Sequence, residues 1–178
     1  MKEKIDVFDY AADVMKALKT GVLLTTKTAD KVNSMTISWG TLGIEWRKPI
    51  FTVFVREHRF TKTMLDESGA FTISVPMGTF DRKILSVCGT QSGRDTDKIA
   101  QLGLKLEEPE VISAPGIREL PLTLECKVIY KQPQDPAAIT PEDRANCYPQ
   151  EIPGSFHGAN RDYHTAYYGE IVSAYLIR

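Results

Sequence analysis

Residues 22–75 contain four short runs rich in β-branched and aromatic residues: V-L-L-T-T (22–26), M-T-I-S-W (35–39), I-F-T-V-F-V (50–55) and F-T-I-S-V (71–75). Residues of these types favour strands. Asp30-Lys31, Lys48-Pro49 and Ser68-Gly69 lie between the runs and are typical of turns. The pattern therefore predicts four consecutive strands.

The flanking sequence predicts short helices and two longer strands. Helical periodicity is present at 7–19, 61–67, 81–87 and 95–102, and strand patterns occupy 122–130 and 166–177. Residues 131–160 hold five of the ten prolines and predict an extended excursion with little regular structure. Helices this short cannot cover both faces of a parallel sheet, so we expect a mostly β, mainly antiparallel barrel.

Length and charge limit the possible classes of function. The 178 residues fit one domain, 1–178, and the 22 Lys and Arg nearly balance 23 Asp and Glu. This balance argues against a nucleic-acid or membrane-surface partner. The sequence shows no bilayer-length apolar run and no signal-peptide pattern, and its three cysteines are odd in number. We therefore expect a cytoplasmic protein with reduced thiols.

The densest polar segment is V-N-S-M-T-I-S-W-G-T-L-G at 32–43. Asn33, Ser34, Thr36 and Ser38 could bond the rim of a flat heteroaromatic ring, and Trp39 could cover its face. The alternative is a strand whose polar side faces water.

The segment V-R-E-H-R-F-T-K-T at 55–63 suits a phosphate group. Arg56 and Arg59 could grip phosphate oxygens, and Thr61 adds a hydroxyl at the start of a predicted helix. A solvated basic turn explains the same residues equally well.

The segment C-G-T-Q-S-G-R-D-T-D-K at 88–98 brings two glycines close to Lys98, which could neutralise a phosphate or an anionic flavin. The spacing of Asp95 and Lys98 is equally that of a surface ion pair. Cys88 could be a reactive thiol, although a buried, inert thiol is the simpler interpretation. Cys147, His157 and His164 are of metal-ligand types, but their spacings of ten and seven residues fit no compact metal motif.

Taken in order, these segments resemble the flavin reductase-like family, which includes flavoredoxins and shares an FMN-binding split barrel with pyridoxamine phosphate oxidases. The resemblance covers about residues 10–130 and 164–176. It is carried by N-S-M-T-I-S-W (33–39), V-R-E-H-R-F-T (55–61), L-D-E-S-G-A-F-T-I-S-V-P (65–76), S-G-R-D-T-D-K (92–98) and Y-Y-G-E-I-V (167–172).

The resemblance implies a split β-barrel that binds FMN, with each site residue in a given role. The residues that would border the isoalloxazine are Asn33, Ser34, Met35, Thr36 and Trp39. Those that would hold the phosphate are Arg56, Arg59 and Thr61. Lys98 would lie close to the flavin with Gly89 and Ser92 in the loop beside it, and Tyr168 would reach a flavin across a dimer interface. A histidine is also expected near the flavin, either His157 or His164.

The resemblance further implies a homodimeric oxidoreductase. FMN would accept a hydride from NADH or NADPH and pass electrons to a free flavin or a protein acceptor, so no dedicated catalytic side chain is expected. The absence of a G-x-G-x-x-G turn does not contradict this, because the family has no Rossmann domain. A non-catalytic flavin carrier would share every expected FMN contact and remains the alternative.

Overall fold

The computed structural model describes residues 1–29, 31–153 and 161–178. Eight antiparallel strands form one sheet, and a second sheet has two strands. The strands of the large sheet are β1 (Lys2–Lys4), β2 (Val22–Lys27), β3 (Val32–Ile37), β4 (Gly40–Glu45), β5 (Lys48–Arg56), β6 (Ala70–Val75), β9 (Leu122–Pro133) and β10 (His164–Ile177); β7 (Leu106–Glu107) and β8 (Gly116–Ile117) form the small one. The prediction of a mainly antiparallel β fold is confirmed.

The large sheet is an open, split barrel. Its strand order is β3-β2-β6-β9-β10-β5-β4, with β1 added to β10, and its two edge strands β3 and β4 do not pair with each other. Only Ser38 and Trp39 lie between these edges along the chain. Two residues span little distance, so the edges meet at this link and diverge from it. We call this place the seam.

The described residues include five short helices: α1 (Ala11–Leu18), α2 (Phe60–Ser68), α3 (Lys83–Thr90), α4 (Lys98–Leu102) and α5 (Pro141–Cys147). Among the described residues, no helix is long and apolar enough to span a membrane. The first four helices agree with the predicted positions to within a few residues, apart from a 3-10 turn at Val7–Tyr10. Helix α5 lies where little regular structure was predicted. Thr140 caps it, accepting a hydrogen bond from the backbone N–H of Asp143, and Pro141 occupies its first position.

Strand β4 was not predicted, because two glycines interrupt its sequence and glycine is rare in strands. It forms as a hairpin with β5, and the connecting residues Trp46 and Arg47 both have positive φ, of 50° and 61°. Gly40 fits closely there, because a Cβ atom would make tight contacts of 3.1 Å with both the Phe51 ring and the Thr52 carbonyl oxygen.

Strand β10 passes closest to the barrel core at Gly169. A Cβ atom at this position would lie 2.5 Å from the Phe71 ring and 2.8 Å from Cβ of Cys126, both fully buried. The register between β10 and β9 shifts between Tyr168 and Gly169, as in a β-bulge. Glycine therefore lets β10 bend against a fully packed interior.

We expect Gly169→Ala to lower the free energy of unfolding by about 1–3 kcal/mol, because the methyl group must displace packed core atoms. Urea denaturation measures this change. Gly43→Ala is the matched control, since a Cβ there meets no atom within 4 Å. Equal midpoints for the two variants would contradict the packing argument.

Candidate functional site

A cleft of about 210 Å³ opens at the seam of the barrel. It adjoins a cavity of about 430 Å³, and the two share Ser38, Trp39 and Phe54. The cleft alone is smaller than the roughly 300–1,000 Å³ typical of ligand sites, so a ligand of that size would also occupy the adjoining space. The cleft is lined by Met35, Thr36, Ile37, Ser38, Trp39, Phe54, Arg56, Arg59 and His164.

One wall of the cleft is the edge strand β3. Its residues pair with β2 on one side only, so the other side offers backbone N–H and C=O groups that no strand uses. Thr36 donates a hydrogen bond of 2.6 Å from Oγ1 to the carbonyl oxygen of Leu85, which attaches α3 to this strand. Trp39 ends the wall with 42% of its surface exposed.

Asn33 and Ser34 were predicted to border the flavin ring, but the side chains of both are hydrogen-bonded to other residues of the protein. Asn33 Nδ2 donates to Thr61 Oγ1 over 2.9 Å, and both residues are buried. A Cβ atom at Gly93 would lie 2.0 Å from Asn33 Oδ1, so glycine permits the loop to cross here. Ser34 is fully buried, and its hydroxyl bonds that of Thr25 at 2.7 Å. The side chain of Ser34 therefore faces β2, and only its backbone can contribute to the cleft.

Arg59 and Lys98, two basic side chains at or beside the cleft, form no ion pair with a described acidic residue. Arg59, which precedes α2, has no hydrogen-bond or ion-pair partner for its guanidinium among the described residues. Lys98 is only 3% exposed, and its Nζ is 3.4 and 3.3 Å from the carbonyl oxygens of Cys88 and Gln91. Burial, with the charges of Arg59 and Lys31, lowers the pKa of Lys98 while Cys88 opposes the shift. An anion here would relieve this repulsion.

Arg56 connects the cleft to the excursion. Its guanidinium donates to the carbonyl oxygens of Asp162 at 2.7 Å and Cys147 at 3.2 Å. It also lies 5.8 Å from the ring centre of Trp39 and 5.1 Å from that of Tyr148. Arg56 thus attaches the end of α5, inside the excursion, and the segment just before β10 to strand β5.

The structure places His164 in the cleft, whereas His157 lies outside the described residues. The imidazole of His164 is 5.0 Å from Trp39 between ring centres, and its Nδ1 is 2.8 Å from the Tyr148 hydroxyl. Burial, with a smaller effect of Arg56, lowers the pKa of His164 from 6.5 to about 4, although Asp162 acts in the opposite direction. His164 is therefore neutral at physiological pH.

Tyr148 and Gln134 belong to the site's surroundings but were not predicted from sequence. Both lie in the proline-rich excursion, where no periodicity or motif distinguished them. Only the pairing of β9 with β10 brings the excursion back to His164, so local sequence held no signal for this contact.

Tyr168 does not line the cleft of its own chain. It lies on the same face of β10 as His164, four residues along the strand, or about 13 Å at 3.3 Å per residue. It lines a separate cavity of about 400 Å³ with residues of β4 and β5. A flavin confined to this cleft would therefore not contact Tyr168 of its own chain.

The remaining candidates lie at the edge of the site. Gly89 is inside α3, where a Cβ would be 3.4 Å from that of Thr36, and Ser92 is exposed with its Oγ accepting the N–H of Arg94. Cys88 lies in the last turn of α3, and burial raises the pKa of its thiol, which disfavours a reactive thiolate. Among the described residues, no group of three His, Cys, Asp or Glu side chains could hold a metal ion.

Solved structures with this architecture include several flavin proteins. A flavoredoxin of Desulfovibrio vulgaris (Miyazaki F) has a TM-score of 0.66 at 25% identity, covering 89% of this chain and 69% of that chain. An FMN-binding domain of a flavin reductases-like enzyme from Shewanella baltica OS155 has a TM-score of 0.66 at 18% identity, covering 99% and 77%. An NADH:FAD oxidoreductase of Streptomyces globisporus has a TM-score of 0.62 at 15% identity, covering 98% and 87%. The last two likenesses concern the fold alone.

Sequence comparison gives a consistent result. An uncharacterized protein of Archaeoglobus fulgidus is 29% identical over 100 residues, a match that spans 56% of this chain and 55% of that relative's length. The family model described as "Flavin reductase like domain" matches residues 15–178. The resemblance inferred from the motifs is therefore confirmed, and the chain belongs to the flavin reductase-like domain family.

Proposed function

We propose that this protein binds FMN in the seam cleft and acts as an NAD(P)H-dependent flavin reductase or a flavoredoxin-like electron transfer protein. The observation that carries the proposal is the guanidinium of Arg59 in the cleft, which has no hydrogen-bond or ion-pair partner within the described part of the chain, with buried Lys98 nearby. Family membership and the flavoredoxin likeness support the flavin class of ligand. We treat 1–178 as one flavin domain, because strands from both ends of the chain, β1 and β10, pair in one sheet.

The phosphate of FMN fits the start of α2. The first backbone N–H groups of a helix have no intrahelical partner and attract anions. Arg59 adds charge-assisted hydrogen bonds, and the Thr61 hydroxyl is held in place by Asn33. Arg56 is already engaged by two carbonyl oxygens, so we assign it mainly to holding the excursion.

The isoalloxazine fits against β3 and Trp39. The free edge of β3 supplies backbone donors and acceptors for the rim of the ring, and Trp39 supplies an apolar surface. Because the cleft by itself is small, we expect the ring to extend into the adjoining cavity beside Trp39 and Phe54.

When bound, FMN supplies the redox chemistry by accepting a hydride and passing electrons on. The protein's own residues orient the ring and exclude water from one face. Lys98 places positive charge close to it, which stabilises an anionic reduced form. His164 remains neutral in this setting and can accept a hydrogen bond at the cleft.

Purification followed by absorption spectroscopy tests the cofactor, and identification of the released compound as FMN tests the phosphate site. Steady-state oxidation of NADH and NADPH with added free flavin then separates an enzyme from a flavin carrier. A protein that retains FMN but oxidises neither nucleotide would support the carrier function.

Arg59→Ala should reduce the preference for FMN over riboflavin by about 10- to 100-fold, because a charge-assisted hydrogen bond contributes roughly 1.5–3 kcal/mol. Riboflavin affinity should stay nearly unchanged, since riboflavin has no phosphate. Fluorescence titration of both flavins into the protein freed of its cofactor, at one salt concentration, measures the difference.

Arg118→Ala is the matched control, because Arg118 pairs with Glu107 beside the small sheet. It should leave both affinities unchanged. Arg56→Ala should weaken both flavins together by loosening the excursion. If Arg59→Ala also weakens both equally, Arg59 does not bind the phosphate.

We further propose a homodimer, in which Tyr168 reaches the flavin of the partner chain. Tyr168 lies 5.1 Å from Tyr130 between ring centres, and Trp46 lies 6.1 Å from Tyr130. These rings and Ile44, which is 71% exposed, make an apolar surface on β4, β9 and β10 that a second chain could cover.

Ile44→Glu should shift the protein from dimer to monomer, because association would bury an unpaired carboxylate. Sedimentation velocity measures the change. Val111→Glu is the control, since Val111 is 48% exposed but lies between β7 and β8. A wild-type monomer that retains FMN would refute the dimer.

A further inference from the structure

Two residues of the proline-rich excursion, Gln134 and Tyr148, form a chain of hydrogen bonds that reaches the Nδ1 side of the His164 imidazole. Gln134 follows β9, Tyr148 follows α5, and His164 begins β10. The backbone N–H of Gln134 donates to the His164 carbonyl oxygen over 2.9 Å, which holds the two residues side by side. Three distant segments of the chain thus meet at one imidazole.

The orientation of the Gln134 amide is fixed by two donors. Its Oε1 accepts the backbone N–H of His164 at 3.1 Å and the hydroxyl of Tyr148 at 2.8 Å. The opposite orientation would place the amide NH2 against a backbone N–H, so that two donors would face each other. Oε1 must therefore be the atom at this position.

The Tyr148 hydroxyl therefore donates its proton in the hydrogen bond to Oε1 of Gln134. The hydroxyl oxygen of Tyr148 is 2.8 Å from Nδ1 of His164, and a hydroxyl whose proton is already used can only accept there. Nδ1 must then carry the proton. Burial raises the pKa of Tyr148, so its hydroxyl does not ionise at neutral pH.

The other ring nitrogen is left for the cleft. Nε2 of His164 makes no hydrogen bond to any described residue. The atom is not fully buried, and the ring lines the cleft, so Nε2 is accessible from the cleft. The charged and titratable groups around the imidazole are Arg56 and Arg59 from the β5 side, Tyr148 from the excursion, and Asp162 from the segment just before β10. None of the four withdraws the proton from Nδ1.

We propose that Gln134 and Tyr148 are positioning residues that hold His164 as its Nδ1–H tautomer, so that the cleft offers the neutral Nε2 as an acceptor for a ligand N–H or O–H group. This inference rests on the proposed function in one respect only, which is that the cleft is the binding site. A bare carbonyl or carboxylate oxygen is disfavoured opposite Nε2, because two acceptors would face each other.

Long-range ¹H–¹⁵N correlation spectra of the purified protein test the tautomer directly. The chain has three histidines, so His58→Gln and His157→Gln identify the His164 signals. We expect a pyrrole-type Nδ1 and a pyridine-type Nε2, and this pattern should persist from about pH 7 to about pH 5. It should give way to the doubly protonated ring only as the pH falls through about 4, because the pKa of His164 is lowered.

Gln134→Leu provides the decisive variant. Without Oε1, the Tyr148 hydroxyl is free to donate to Nδ1, and the tautomer should invert to Nε2–H. Gln134→Glu keeps an acceptor for the same two donors and should retain the wild-type pattern, while Tyr148→Phe should lose the preference for Nδ1–H. These spectra do not depend on flavin turnover, so a failure of the proposed function would leave them readable.

An Nε2–H tautomer in the wild type would overturn the proposal. So would an unchanged Nδ1–H pattern in both Gln134→Leu and Tyr148→Phe. If Gln134→Leu does not fold, inversion or loss in Tyr148→Phe together with retention in Gln134→Glu still decides the question.

Discussion

The antiparallel register between β5 and β10 is the constraint on which the site depends. It sets His164 opposite Arg56 and Tyr168 opposite Thr52, so that the same face of the two strands carries the cleft at one end and an aromatic surface at the other. Side chains alternate along a strand, and a slip of one residue would turn all of them to the opposite face. Gly169 lies against Phe71 and Cys126 on the same strand, at the point where the pairing of β10 with β9 shifts its register.

Opening the barrel between β3 and β4 has a chemical consequence. An edge strand in most proteins is a liability, because its unpaired backbone groups can pair with other chains. Here helices α3 and α4 pack close to β3, and the part of the edge near Trp39 borders the cleft. The groups that a closed barrel would use internally are thereby available to a ligand.

Electrostatics and the excursion complete the environment. Arg59 and Lys98 create positive charge that no described acid neutralises, which favours a phosphate or an anionic ring. A third basic residue, Arg56, lines the cleft and binds the excursion. Arg56 donates hydrogen bonds to the carbonyl oxygens of Cys147 and Asp162, and these bonds hold the neighbouring Tyr148 beside His164. The pKa of His164 is lowered to about 4, so its imidazole adds no positive charge at neutral pH. The basic cluster therefore favours an anion and adds to the effect of burial, which is the main cause of the lowered pKa of His164.

The sequence by itself determined strands β2, β3, β5, β6, β9 and β10, helices α1 to α4 and the family, because β-branched runs, turn residues and polar motifs act over a few neighbouring positions. Met35, Trp39, Arg56 and Arg59 were predicted together, and the structure brings them into one cleft. Tertiary structure alone decided the rest. Strand β4 exists only through its pairing with β5, the choice of His164 follows from β10, and Gln134 and Tyr148 reach it from a segment with no local pattern. Such contacts join residues far apart in the chain, and their hydrogen bonds depend on register and burial, which no short stretch of sequence encodes.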